Sequence, residues 1–569
     1  MNINLAFLRP THVAVVTALV AGGVAAPAVR NGYVEDAHWI IEQRPQLVHT
    51  PTALALLLEP YWPRSFGGSL WRPAVMVSYA LDRRISPPPG AHWVHAVDVF
   101  WAALAAGLLA LLAAQLAGPT LGLATGLLFA VHPVHVEVTA SGVGRAELMA
   151  AAGYAACLLC AWRARADKRW LIGVFLGSLF AIASKEHAAT LPAAVLLLAV
   201  GRAAFAGEDW RPAVRAALPA AVCATVPIVL YFVARPLVTG TVFNAGGVAP
   251  GLKGLGALAR AGAMLALSRE WWRLLFAPSH LSADYSPAQV TVATGLSGAH
   301  ALALALLVAA ALVAWRLRRA APGVAIGLAW TAITLAPVSN VLVPTEILLA
   351  ERTLYLPSWG AMLALASAGA ALPWRPQVKT AVVALLVFVG AVRSVSRVSI
   401  WRDDDRWFAA LQRDAPYSYR TLWMSGQDAF AAQRWGTGER YLRAAIAAAP
   451  DLPGPREDLA AFYATGRRWG PAVELLRESL ALDSTRTRPW MMLPRALLGA
   501  GDTLAAVRVA AAAVNRFPSD GDIGYGAIAA FVAARDCVAA RAVAVKTRSQ
   551  LIADARQRVD QELQSCKGR

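Results

Sequence analysis

Charge is scarce in this sequence. Only 15% of the 569 residues are Asp, Glu, Lys or Arg, while 57% are hydrophobic and the mean hydropathy is +0.48. So little charge excludes a disordered chain and argues against a soluble globular protein, leaving a polytopic membrane protein. Cysteine is nearly absent as well, and five of them exclude a disulfide-dense framework. Cys157 and Cys160 form a CxxC, but within the apolar run "YAACLLCAW", where they read as small packing residues. Cys537 and Cys566 fall in the polar C-terminal part, where pairing stays open. Missing too are a basic–aromatic nucleic-acid motif and the standard zinc spacings. The net charge of +18 comes instead from Lys and Arg in short loops between apolar runs, a topology signal.

Runs long enough to cross a bilayer lie near 11–29, 95–117, 144–162, 212–234, 297–315, 321–340, 349–371 and 377–394, with shorter ones near 119–134, 170–184 and 188–204. The run near 256–277 carries Arg260, Arg269, Glu270 and Arg273 and reads as an interfacial amphipathic helix. About eleven crossings then place "WRARADKRW", "GRAAFAGEDWRPAVR", "WRLRRA" and "WRPQVK" in the cytoplasm. On the external face this arrangement collects the Glu35–Asp36 loop, "AVHPVHVE", "SKEH", "PSHLSADYS" and "PVSNVLVPTE". Five polar segments on one side are the layout of an active site. "VAAPAV" resembles a signal cleavage site, but the thin basic lead and the apolar spans that follow favour an uncleaved first crossing.

Composition shifts after about residue 395. Pro416, Pro450, Ser484 and Pro518 recur every 34 residues, the period of tetratricopeptide repeats. Trp435-Gly436 and Trp469-Gly470 share that interval, and Leu459, Tyr463, Ala472, Leu476 and Trp490 occupy apolar positions of the repeat. Three to four repeats are expected over 396–569, stacked into an α-solenoid whose concave face suits a peptide.

Several ionisable residues lie where spans leave the apolar phase, and such residues read as functional by default. Glu35 and Asp36 follow the first span; His132, His135 and Glu137 end another, with Arg145 opening the next; Lys185, Glu186, Arg235 and Arg352 sit at further external ends. The plainer alternative for each is a polar helix–helix contact or an ion pair that pins two helices. Carboxylates and histidines beside a phosphate also leave room for a divalent cation, Mn or Mg, although no definite metal-ligand set is assigned.

The strings "GYVEDAHWI", "LFAVHPVHVEVTASGVGRAELMA", "SKEH", "PSHLSADYS", "APVSNVLVPTEILLAERTLYLPS" and "WRDDDRWF", followed by the repeats, resemble the transmembrane and tetratricopeptide-repeat-containing O-mannosyltransferases and their bacterial relatives. The resemblance runs in order over about residues 30–540. It implies an all-α protein: a GT-C-like transmembrane glycosyltransferase domain over 1–395, with a catalytic first external loop at 30–94, and an extracytoplasmic repeat domain over 396–569. It further implies a polyprenyl-phosphate-linked sugar donor, a hexose such as mannose, and a hydroxyl acceptor on an extracytoplasmic protein or peptide. The family's paired acids fall on Glu35 and Asp36; Glu35 departs from the usual Asp, which puts the weight on Asp36 as base. Asp98 stands where relatives have Asn. Arg145, Lys185, Arg235 and Arg352 would face the donor phosphate, with His132, His135, Glu137 and Glu186 around phosphate and sugar, and transfer would invert the anomeric centre. The Ala/Arg-rich composition suggests a bacterial inner membrane. Two rivals remain: a non-enzymatic scaffold that recruits partners through its repeats, and a lipid-linked saccharide ligase.

Overall fold

The protein is described by a computed structural model covering residues 8–50, 52–64, 68, 70–87, 90–242, 247–293, 295–518, 520–548, 553–564 and 566. Helices dominate these residues, and the only β feature is an isolated bridge between Pro287 and Val290. The chain forms two compact units, one of residues 1–285 and 291–415, the other of residues 286–290 and 416–569.

Among the described residues of the first unit seven helices are long and apolar enough to cross a membrane: Pro10–Arg30, His92–Ala117, Glu186–Ala206, Trp210–Thr239, Gly298–Leu317, Glu351–Ala371 and Pro376–Trp401. Pro119–Ala130 and Pro133–Ala140 make an eighth if taken as one span bent by 52°. The bend falls at Val131-His132-Pro133, where proline cannot continue the upstream hydrogen-bond ladder. The other three expected runs fall short of the same measure. Trp170–Ser184 and Pro322–Val338 are shorter, and Arg145–Arg163 carries charge at both ends and is buried along most of its length. Ala257–Phe276 is a 20-residue helix with Arg260, Arg269, Glu270 and Arg273 along it.

Small residues set how closely these helices approach. A Cβ on Gly327 would lie 2.3 Å from the Gly360 carbonyl oxygen, and one on Gly360 would lie 2.4 Å from that of Gly327. The two helices therefore cross in backbone contact, as glycine permits in membranes. Gly177 does the same against Cys157, whose amide nitrogen would sit 2.8 Å from such a Cβ. Cys157 and Cys160 are free thiols packed at this crossing.

The segment between the first two long spans is folded. Ile40, Ile41, Leu47, Leu56, Met76 and Tyr79 form a buried cluster that also takes in Ala146 and Met149. At the other end of the unit, helix Asp404–Asp414 lies beyond the composition shift near 395. Trp401 and Trp407 are buried side by side there, 6.4 Å between ring centroids, and keep this stretch within the first unit up to Ala415.

The second unit is a run of antiparallel helix pairs. The second helix of each pair begins at Trp435, Trp469, Thr503 and Cys537, preserving the 34-residue interval of the sequence. Gln433, Arg467, Gly501 and Arg535 occupy the turn before each of them, all at positive φ. Leu442, Leu459, Tyr463, Ala472 and Leu476 belong to one continuous buried cluster. Cys537 and Cys566 are disulfide-bonded, with Cα atoms 5.7 Å apart.

Candidate active site

Two of the polar segments expected to converge, the Glu35–Asp36 loop and "AVHPVHVE", come within electrostatic reach of each other and of Arg352. Asp36 follows the short 3₁₀ turn Ala26–Arg30 and lies on a partly exposed surface within electrostatic reach of Arg352 and Glu137. Burial pushes its carboxyl above the usual aspartate range; Arg352 opposes that shift and Glu137 adds to it.

Arg352 opens the segment Glu351–Leu354. Its backbone N–H donates to Glu137 Oε2 at 2.9 Å, and its guanidinium donates to Glu137 Oε1. Lys185 sits at the break between helices Trp170–Ser184 and Leu191–Ala206, where its ammonium donates to Glu147. Lys185, Glu147 and Arg352 line a small shared cavity with His187, Thr334 and Thr353. His187 is buried, and its Nε2 has no hydrogen-bond partner among the described residues.

Glu186 faces a neighbouring group. It accepts from Arg72 Nε at 3.2 Å and Nη2 at 3.1 Å, and Arg235 acts on it electrostatically. Arg72 lies over the Tyr61 ring at 4.6 Å, and burial pushes the Tyr61 phenol up to about 12 against the pull of Arg72. Glu351 turns away from the cavity. It accepts from Arg397 Nη2 at 3.1 Å, the Tyr285 hydroxyl at 2.7 Å and the Ser282 N–H at 2.7 Å, so "PSHLSADYS" anchors the segment that carries Arg352.

Three expected ligand contacts are engaged elsewhere. Arg145 is fully buried and donates to Asp98 Oδ1 at 2.6 Å, to Asp82, to Ser78 Oγ at 3.0 Å and to the Val94 carbonyl at 2.8 Å. A guanidinium committed to two carboxylates inside the bundle is a structural pin, and a donor phosphate has no access to it. His132 Nε2 bonds the Leu275 carbonyl at 3.0 Å, and its Nδ1 accepts from the Val134 N–H at 3.4 Å. His135 meets Ser358 Oγ at 2.8 Å, its ring between Phe129 and Tyr355, each 4.5 Å away. Both histidines shape the bend.

Among the described residues no group of three or more His, Cys, Asp or Glu is gathered as for a metal ion. Glu137, the carboxylate nearest in influence to Asp36, spends both oxygens on Arg352.

No family model matches the chain. The chain is similar in part to protein O-mannosyl-transferases. Identity with protein O-mannosyl-transferase TMTC1 of Mus musculus is 32% over 130 residues, 22% of this chain and 14% of that protein. Identity with Tmtc1 of Drosophila melanogaster is 33% over 168 residues, 28% of this chain and 19% of that protein. The matches therefore span less than a fifth of either relative's length.

The sequence reading missed Arg72 as a partner of Glu186 and gave no role to Glu147 or His187. Arg72 stands in the long first loop with no motif around it. Glu147 lies in the first turn of helix Arg145–Arg163, and pairing across 38 positions leaves no local pattern.

Proposed function

We propose that the protein is a multi-pass membrane glycosyltransferase that moves a sugar, a hexose such as mannose, from a polyprenyl-phosphate donor to a hydroxyl of an extracytoplasmic protein. The observation carrying this is the placement of Asp36 within reach of Arg352 while Arg352 and Lys185 line one cavity. Two cations lining a hollow at the end of apolar spans, one of them acting electrostatically on a carboxylate, suit a lipid-held phosphodiester that meets a water-borne acceptor.

Asp36 takes the proton of the acceptor hydroxyl as its oxygen attacks the anomeric carbon from the face opposite the phosphate. The new carbon–oxygen bond forms while the anomeric carbon–phosphate oxygen bond breaks, and polyprenyl phosphate leaves with that electron pair. Arg352 and Lys185 stabilise the charge that gathers on the leaving phosphate, held in direction by Glu137 and Glu147. One acid acting alone gives inversion. Glu35 supports the acidic lip, and Glu186 with Arg72 and Arg235 borders the donor side. No step passes through a metal ion.

The second unit is read as three to four tetratricopeptide repeats that present the protein acceptor. The site and repeats are placed outside the cytoplasm of a bacterial inner membrane, where a Cys537–Cys566 disulfide is stable. Membranes containing the full chain, given polyprenyl-phosphate mannose, should label protein with the anomer opposite to that of the donor. Partner binding without sugar transfer from any polyprenyl-phosphate hexose would favour the scaffold.

A further inference from the structure

The turn that carries Asp36 is gripped from a distant part of the sequence. Glu35 adopts φ 55°, the left-handed region that a residue with a Cβ seldom enters. Its N–H donates to Asp404 Oδ1 at 3.1 Å. Three residues further on, His38 Nε2 meets Asp404 Oδ2 at 2.8 Å, while its Nδ1 meets Glu42 Oε2 at 2.5 Å. One carboxylate thus holds the Glu35 backbone N–H before Asp36 and the His38 ring after it, with separate oxygens. Two more bonds join the same stretches: the Gly32 N–H donates to the Arg402 carbonyl at 2.9 Å, and Asn31 Nδ2 donates to the Val398 carbonyl at 3.3 Å. A Cβ on Gly32 would stand 3.2 Å from the Arg402 oxygen, so glycine permits the approach.

The adjacent acid has a different task. Asp403 caps helix Asp404–Asp414 by accepting from the Arg406 N–H at 2.9 Å. Asp404 is the first residue of that helix, and its carboxylate reaches outward to the turn, with 55% of the side chain exposed. An acid in a first helical turn is ordinarily explained by the helix dipole. That explanation does not require both oxygens to reach a loop 369 positions earlier.

We infer that Asp404 is a positioning residue, which fixes the left-handed turn at Glu35 and thereby the direction in which Asp36 presents its carboxylate to the acceptor. It touches no reacting atom. The inference rests on Asp36 being the base, and the test separates the two.

The test uses membranes bearing the full chain and radiolabelled polyprenyl-phosphate mannose, with kcat, donor KM and thermal midpoint measured for each variant. Asp404→Ala should lower kcat about ten- to a hundredfold, the scale of a catalytic group displaced by about 1 Å. Donor KM should stay within about twofold, because the cations that hold the phosphate are untouched. Asp404→Asn keeps the shape and an oxygen for the Glu35 N–H, so it should fold and lose less kcat. Glu35→Gly, which suits positive φ, should retain more kcat than Glu35→Val, which does not. Unchanged kcat in Asp404→Ala beside an inactive Asp36→Asn would overturn the positioning role and leave the base assignment standing. Losses that follow the amount of folded protein in both Asp404 variants would reduce Asp404 to a helix-end acid and overturn it too. An active Asp36→Asn would remove both.

Discussion

Arg352 binds Glu137 twice, through its own backbone N–H and through its guanidinium, across 215 positions of sequence. The pair joins the opening of a long span to the bent segment after Pro133. Arg352→Ala should therefore damage two things at once. Donor KM should rise through loss of the phosphate-facing cation. The buried Glu137, left with only a backbone donor, should lower stability by about 3–5 kcal/mol, the usual cost of breaking a buried pair. Arg352→Lys supplies a point charge without the planar fork and should restore only part of either. Donor saturation curves with melting of the purified chain would read both effects; unchanged donor dependence would reject the phosphate role.

Arg145 should behave differently. Its partners Asp98 and Asp82 are buried, so Arg145→Ala strands two carboxylates and should prevent folding or cost about 3–5 kcal/mol. Removing charge from the other side, in the double variant Asp98→Asn and Arg145→Gln, should recover part of the loss. Any folded Arg145 variant should keep the wild-type donor KM. A raised KM in a stable variant would return Arg145 to the donor site.

The clasp at His38 predicts a pH dependence. Burial works against the charged ring, but hydrogen bonds to Glu42 and Asp404 outweigh it and raise the His38 pKa above the ordinary 6.5. A raised folded value means that the folded chain holds the proton more tightly. The stabilisation is fully present below 6.5 and is lost as pH rises through the folded value. The melting temperature should fall across that window for the wild type and fall less for His38→Ala. Equal slopes in the two would contradict the assignment.

The repeat interval makes a backbone prediction. Gly501 occupies a left-handed turn with φ 83°, and nothing lies within 4 Å of where its Cβ would be. Gly501→Ala should thus cost about 1 kcal/mol from conformation alone, with no steric term. Chemical denaturation of the full chain, followed by a probe in the second unit, would measure it.

These cases show which features could be read from the sequence. The interval of Trp435 and Trp469 was legible because each helix pair repeats the same packing problem. The apolar runs were legible because lipid demands length and hydrophobicity together. The conspicuous cluster "HPVHVE" was only partly legible: Glu137 faces Arg352, whereas His132 and His135 satisfy packing and a bend. Arg145 read as a free cation because Asp82 and Asp98 are 63 and 47 positions away. No spacing rule relates residues brought together only by helix crossings. Asp404 was hidden in the same way, inside a run of three acids that reads locally as a helix start.

The most direct measurement is the rate of mannose transfer from polyprenyl-phosphate mannose by the Asp36→Asn chain, alongside its pH–rate profile in the wild type. The raised Asp36 carboxyl should place the acidic limb of kcat/KM above the ordinary carboxylate range. Its amide replacement should lose transfer by about 10²–10⁴-fold while melting as the wild type does. A folded Asp36→Asn chain that transfers sugar at the wild-type rate would contradict the account.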